Sequence, residues 1–445
     1  MLCGAGLFLL CAMVSYLVSL AVMAEPVPAP DVTEKMNELL AAALPDGSDA
    51  TPLLMDFMER RNELPYFWDT ESGERESTNS LLHQLRVRDW SDPELSLAHE
   101  AWSQISPLLS LLHEAAAHDV VRAPYVRNGV DGFPGNETAF GRFRSPTREI
   151  LRIAIRDAAE REAWDEVERN LETTLRLAHH LGQRLTLDDL TAASMLAYGA
   201  LLEIILQSQE RRIPHEVCER LIDVINRVDP LPAPIERVCE VERLRTNAYL
   251  SQLFSRSGIM IDWMEGNFTS ESSLIERLAN VRALAAHRRS LAENAVDEQF
   301  HTFSTWWEAL PGERIALQDN LVYPDRIGDG NWEHIVWFNE SNFRLAFHTR
   351  NTLPAGVRTA LRIAQFRDMH GHWPETLEEA LSGEELLETL TGEKWQYTRL
   401  QENRYGQPYR LVTPPQPGYV WYPIPLFRAQ GANVIDLSRP RGASN

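Results

Sequence analysis

From Leu2 to Ala24 the chain carries no charged side chain, and then it turns abruptly to Glu25-Pro-Val-Pro-Ala-Pro-Asp31. A helix of that length spans about 30 Å of hydrocarbon, so this stretch reads as an inserted helix or an export signal. Two readings stand. The run is longer than the apolar part of an ordinary signal peptide, which points to a retained anchor. Val22-Met23-Ala24 offers small residues for cleavage before Glu25, which points to a removed signal. Either way residues 1–24 meet the membrane, and the chain beyond Ala24 is acidic and large, which suits export. The expected location is the periplasmic side of an inner membrane, with the main domain exported.

The formal net charge is −21, and all of it lies after the apolar run. Such a surface repels phosphate backbones, so nucleic acid is not an expected partner. The tail has the opposite sign. Arg399, Arg404, Arg410, Arg428, Arg439 and Arg441 outnumber Glu402 and Asp436, so it is expected to fold back on the acidic body. Outside the apolar run, the cysteines are Cys218 and Cys239. An oxidising compartment permits them to pair, and buried free thiols in helices are the other reading.

Periodicity makes the body helical. Trp164, Val167, Leu171, Leu175, Ala178 and Leu181 recur in steps of three and four, one apolar stripe. Gly182 is expected as a left-handed helix cap, and Thr186 with Asp189 as a near capping box. The next helix, Leu187 to Gln207, is apolar on most faces and should be buried. Pro214 is expected in the first turn of another, with Val217, Leu221, Val224 and Val228 as its stripe, and Ser145-Pro146 opens the helix before Trp164. Short turns between long helices mean antiparallel neighbours. The expected fold is mainly α: an irregular antiparallel helical stack of tetratricopeptide-like hairpins without a strict repeat period. A small C-terminal antiparallel hairpin or three-stranded sheet over 394–424 completes it, because Trp395/Tyr397 and Tyr409/Leu411 alternate. Asn403 to Gln407 is the expected hairpin turn. The expected units are the anchor 1–24, a linker and short helix 25–51, and a helical body 52–352 with loops at 122–145 and 312–352. A helix plus β unit 353–424 and a Pro/Arg-rich tail 425–445 complete the chain.

One stretch carries a resemblance. Arg358-TALRIAQFRDMHGHWPETLEEAL supplies His370, Gly371, Trp373, Pro374, Glu375, Thr376 and Leu377, and Thr391, Gly392, Glu393, Trp395 and Tyr397 come after it. This resembles an ending found in uncharacterised membrane-anchored helical envelope proteins of planctomycetes and related bacteria. The ending is pseudopilin-like: a helix, then His-Gly-x-Trp-Pro-Glu-[Ser/Thr]-Leu, then a Thr-Gly-Glu-x-Trp-x-Tyr strand. The match covers about forty residues. It departs where that family has Asp-Pro-Phe before Thr-Gly, since Glu388-Thr-Leu390 stands here. The resemblance implies fold and location and carries no activity. It gives His370, Gly371, Trp373, Pro374, Thr391 and Gly392 a structural role, with Gly371 as helix cap and Trp373 to Leu377 starting a second short helix.

Catalytic signatures fail on spacing. His113 and His118 are five apart, and a zinc-protease helix needs four. Glu298-x-x-His301 occurs once, and a bundle di-iron site needs two copies. His179 and His180 point to adjacent faces. Asp325, Asp329 and Asn331 do not have EF-hand spacing. No nucleophile elbow, phosphate loop or dinucleotide fingerprint is present, so no catalytic residue, metal ligand or cofactor is assigned. One candidate binding surface remains: Trp306, Trp307, Trp332, Trp337 and Phe338, in an aromatic-rich stretch from Phe300 to Phe347. Aromatics of this kind stack on sugars or peptides, or pack between helices. The expected function is therefore a non-catalytic scaffold or binding module for an envelope protein or polymer. The alternative is a hydrolase of an envelope polymer, using acidic residues in an aromatic-lined cleft.

Overall fold

The computed structural model describes residues 31–63, 67–68, 75–76, 81–82, 84–85, 90–126, 144–253, 289–309, 342–343, 345–387, 392–400, 408–412, 428–429 and 432–433. The apolar run, the Asn403–Gln407 turn and Asp325 to Asn331 lie outside them.

The protein is mainly helical, with a small antiparallel two-stranded sheet near the C-terminus. Helices α1 (Thr33–Ala43), α2 (Thr51–Asn62), α3 (Ser96–Ile105) and α4 (Leu109–Ala117) come first. Next are α5 (Arg144–Glu160), α6 (Trp164–Gly182), α7 (Leu187–Glu210), α8 (His215–Arg227) and α9 (Ile235–Leu253). The last two are α10 (Arg289–Glu308) and α11 (Leu353–His370). Helix α7 is the hub: α5, α6 and α11 all pack on it, α8 bridges α6 to α11, and α4 joins α2 to α6. The reason is composition. Leu187, Ala192, Leu196, Gly199, Ala200 and Leu201 point in different directions around α7, and all are buried. A helix apolar on every side is stable only when neighbours cover every side. Among the described residues it is the one helix long and apolar enough to cross a membrane, yet most of it is covered by protein.

Local chemistry sets the helix ends. Thr186 Oγ1 accepts from the Asp189 amide at 3.2 Å and caps α7, as the sequence suggests. Pro214 is the N-cap residue of α8 rather than a first-turn residue, one position earlier than expected. Gly182 is not a left-handed cap. It is the last residue of α6, followed by Gln183 in right-handed helical conformation. It is glycine because the 230–233 segment crosses it: a Cβ there would lie 2.4 Å from the Pro230 carbonyl oxygen. The left-handed cap in this region falls on Glu162, φ 55°, between α5 and α6. There Ala163 N–H donates to Ala158 O at 2.9 Å, a six-to-one closure that normally selects glycine.

The C-terminal part obeys its patterning with corrections. Helix α11 ends on Gly371 at φ 76°, as expected. Helical structure begins earlier than the expected loop 312–352 allows, because Asn342 to Thr352 is largely helical, with a π-helical turn over His348–Thr352. Trp373 to Leu377 does not open a helix; a single 3₁₀ turn forms over Leu377–Glu379. Strands β1 (Gln396–Arg399) and β2 (Tyr409–Val412) pair antiparallel, with Tyr397 opposite Leu411. The Tyr419–Trp421 segment expected to supply a third strand lies outside the described residues, and a two-residue pairing of Arg428–Ala429 with Ala432–Asn433 follows farther along the chain. A pair of strands this short cannot stand alone in water. Trp395 buries against α11 at Gly356, and Tyr409 and Leu411 join the common core.

Candidate functional site

Two kinds of polar structure occur, one buried and one open. The buried kind clamps the elements around α7. Arg184 is fully buried. Its Nε lies 3.1 Å from Asp189 Oδ1, and its Nη1 donates to Ala123 O at 2.6 Å. Tyr125 O–H donates to Asp189 Oδ2 at 2.9 Å, and its ring lies 4.7 Å beneath the guanidinium carbon. A second clamp joins Arg245 of α9 to Glu242 and to Asp188 at 2.6 and 3.0 Å. Glu242 accepts the Leu187 amide at 2.6 Å. Burial alone would lower Arg245, but Glu242 and Asp188 outweigh it and hold the guanidinium charged. A third joins Arg152 of α5 to Glu203 of α7 at 2.9 Å. In each clamp a buried charge has an opposite charge in contact, which is what burial demands. These residues escape sequence reading because a salt bridge between distant positions has no linear signature.

The open kind is a cleft of about 510 Å³ where the α5–α6 turn meets the start of α8. Trp164, Pro214 and Val217 give it apolar wall; Glu162, Asp165, Glu166, Glu216 and Arg220 surround them. Asp165, Glu166 and Glu216 stand in the first turns of α6 and α8, where helix dipoles favour negative charge. Arginines complete the neutralisation. Arg220 reaches Asp165 at 2.7 Å and Glu168 at 2.6 Å, and Arg161 reaches Glu166 at 2.7 Å. The hydrogen bond from Arg161 holds Glu166 below the usual carboxylate range. Glu166 is thus an ionised acceptor at neutral pH, unsuited to donate a proton.

The residues singled out from sequence scatter. Trp306 and Trp307 are 1% and 6% exposed and pack on Phe347, so they are core rather than binding surface. The reason is pairing: α10 lays its Phe300, Phe303 and Trp306 stripe against Phe343 and Phe347. Trp332, Trp337 and Phe338 lie outside the described residues. Cys218 and Cys239 do not form the candidate disulfide. Both are free and buried at the starts of α8 and α9, and burial pushes each thiol up to about 12. His113 donates to Asn170 Oδ1 at 2.9 Å, and His118 lies beyond the end of α4. His179 donates to the Asp229 carbonyl at 2.7 Å. Glu298 and His301 are exposed on α10. Among the described residues no three His, Cys, Asp or Glu side chains gather as a metal site.

The His370–Leu377 corner is a packed joint. Arg367 stacks over Trp373 at 4.4 Å, Tyr397 O–H donates to Pro374 O at 2.8 Å, and Arg399 pairs with Glu375. Lys394 reaches Glu378 at 3.1 Å. Gly392 adopts φ 71°, and Thr391 lies outside the described residues. Arg399 thus folds back onto the chain, as the tail's charge suggests; Arg404, Arg439 and Arg441 lie outside the described residues. No family model, curated protein or solved structure matches this chain.

Proposed function

We propose that the protein is a non-catalytic, membrane-anchored envelope scaffold, with residues 2–24 in the membrane and the acidic helical body exported. On this reading the partner is an envelope protein or polymer, and the contact surface is the cleft around Trp164. The observation that carries it is the ionisation state of that cleft. Asp165 and Glu166 sit at the N-terminus of α6 and pair with Arg220 and Arg161, an arrangement suited to holding a partner's polar groups. A hydrolase would need one carboxyl kept protonated beside another, and Glu166 is driven the other way. The resemblance of the His370–Tyr397 ending to anchored envelope proteins supports the location.

The test is capture from detergent-solubilised membranes, comparing the natural chain with Trp164→Ala and Glu216→Arg. Loss of the same captured component in both variants supports the reading. Release of soluble fragments from envelope polymer by the natural chain, abolished in Glu162→Gln or Glu216→Gln, would replace it with the hydrolase. Recovery of the protein in the soluble cytoplasm would remove the location, and release by alkaline carbonate would favour cleavage after Ala24 over a retained anchor.

A further inference from the structure

We propose that His370 and His372 form a surface chelate for a divalent transition-metal ion, with Cu²⁺ bound most tightly. Gly371 lies between them in the left-handed conformation, φ 76°. The turn sets both imidazoles against one ring, Phe366. His370 stacks on it at 4.1 Å between centroids, and His372 meets its edge at 5.6 Å. The two imidazole centroids are 6.2 Å apart. Two imidazoles on one ion with metal–nitrogen bonds of about 2.0–2.1 Å have centres roughly 5–6 Å apart, a small side-chain rotation away.

Protonation favours the same chemistry. His370 Nδ1 donates to Phe366 O at 3.0 Å, and His372 Nδ1 donates to Trp373 O at 3.0 Å. A carbonyl oxygen can only accept, so the neutral ring carries its proton on Nδ1 and leaves a lone pair on Nε2. That is the arrangement by which metal-binding imidazoles are oriented: one nitrogen fixed on a backbone carbonyl, the other free to ligate. Both histidines are exposed, and no cluster of three or more ligating side chains forms among the described residues. The remaining coordination positions face water or a ligand carried by another molecule. Imidazole donors suit Cu, Ni and Zn and disfavour Mg and Ca, and affinity peaks at Cu²⁺. The inference is independent of the scaffold reading, because neither His370 nor His372 lines the Trp164 cleft.

The test uses the untagged full chain in detergent, titrated with Cu²⁺ and read by equilibrium dialysis and electron paramagnetic resonance. The first equivalent should show nitrogen coupling from two imidazoles. His372→Ala and His370→Ala should each weaken that equivalent at least about tenfold and change the coupling pattern. His372 is exposed, so its variant folds normally even if loss of the Phe366–His370 stack disturbs the other. Unchanged affinity and an unchanged spectrum in His372→Ala would overturn the proposal.

Discussion

Asp189→Asn tests how the protein holds its centre together. Asp189 is the carboxylate in contact with the buried Arg184 guanidinium, and it also accepts from Tyr125 and Thr186. The substitution keeps size and two of those hydrogen bonds but removes the charge. The cation left behind has no exposure to water, with the carbonyl of Ala123 and the face of Tyr125 still against it. Removing one partner of a buried pair costs about 3–5 kcal/mol. Cation–π attraction at a desolvated site is worth about 2 kcal/mol, but it is present before and after the change and does not offset the loss. Expected destabilisation is therefore about 3 kcal/mol or more. Arg184→Met alone should cost a similar amount, by stranding Asp189. The double variant should cost much less than the sum, because neither charge of the pair is then left behind. The assay is urea unfolding of a chain lacking residues 1–24, monitored by circular dichroism, with the coupling energy taken from the four-membered cycle. A single-variant cost under about 1 kcal/mol, or additive costs across the cycle, would refute the account of Arg184 and Asp189 as a mutually dependent pair.

Single features give the other expected outcomes. Burial, then the neighbouring His179, holds His180 down to about 4 from an ordinary 6.5. The unfolded chain therefore binds a proton that the folded one refuses, and stability falls as pH drops from 6.5 towards 4, by roughly 3 kcal/mol once both values are passed. His180→Leu should flatten that part of the pH–stability curve, and an unchanged slope would exclude His180 as its source. Glu162→Gly should stabilise by about 1 kcal/mol by relieving the left-handed residue at φ 55°, read as a raised urea midpoint. Gly182→Ala should destabilise by about 1–3 kcal/mol despite alanine's better helix propensity, because the 2.4 Å clash is with backbone and cannot be turned aside. Deleting 394–445 removes Trp395, Tyr409 and Leu411 from the shared core and should lower the melting temperature of the whole body; an unchanged melt would mark that segment as an independent appendage.

Periodicity and end chemistry are local properties, and the sequence by itself determined what depends on them. The Trp164–Leu181 stripe, the Thr186 cap, the all-round apolarity of α7, the Gly371 cap and the alternation in β1 and β2 were all legible, since each involves residues within a turn or a strand of one another. Tertiary structure decided what depends on residues far apart in the chain. Gly182 reads as a cap until the 230–233 segment is seen lying on it. Trp306 and Trp307 read as core packing or as a ligand platform, with core packing the simpler reading, until Phe347 is seen against them. Cys218 and Cys239 allow either state until both are found buried and unpaired. The Trp164 cleft exists because two helix N-termini, some fifty residues apart in sequence, meet side by side. The fate of a charge, whether paired, stranded or exposed, is set by which partner folding brings within about 4 Å, and linear spacing does not encode that distance.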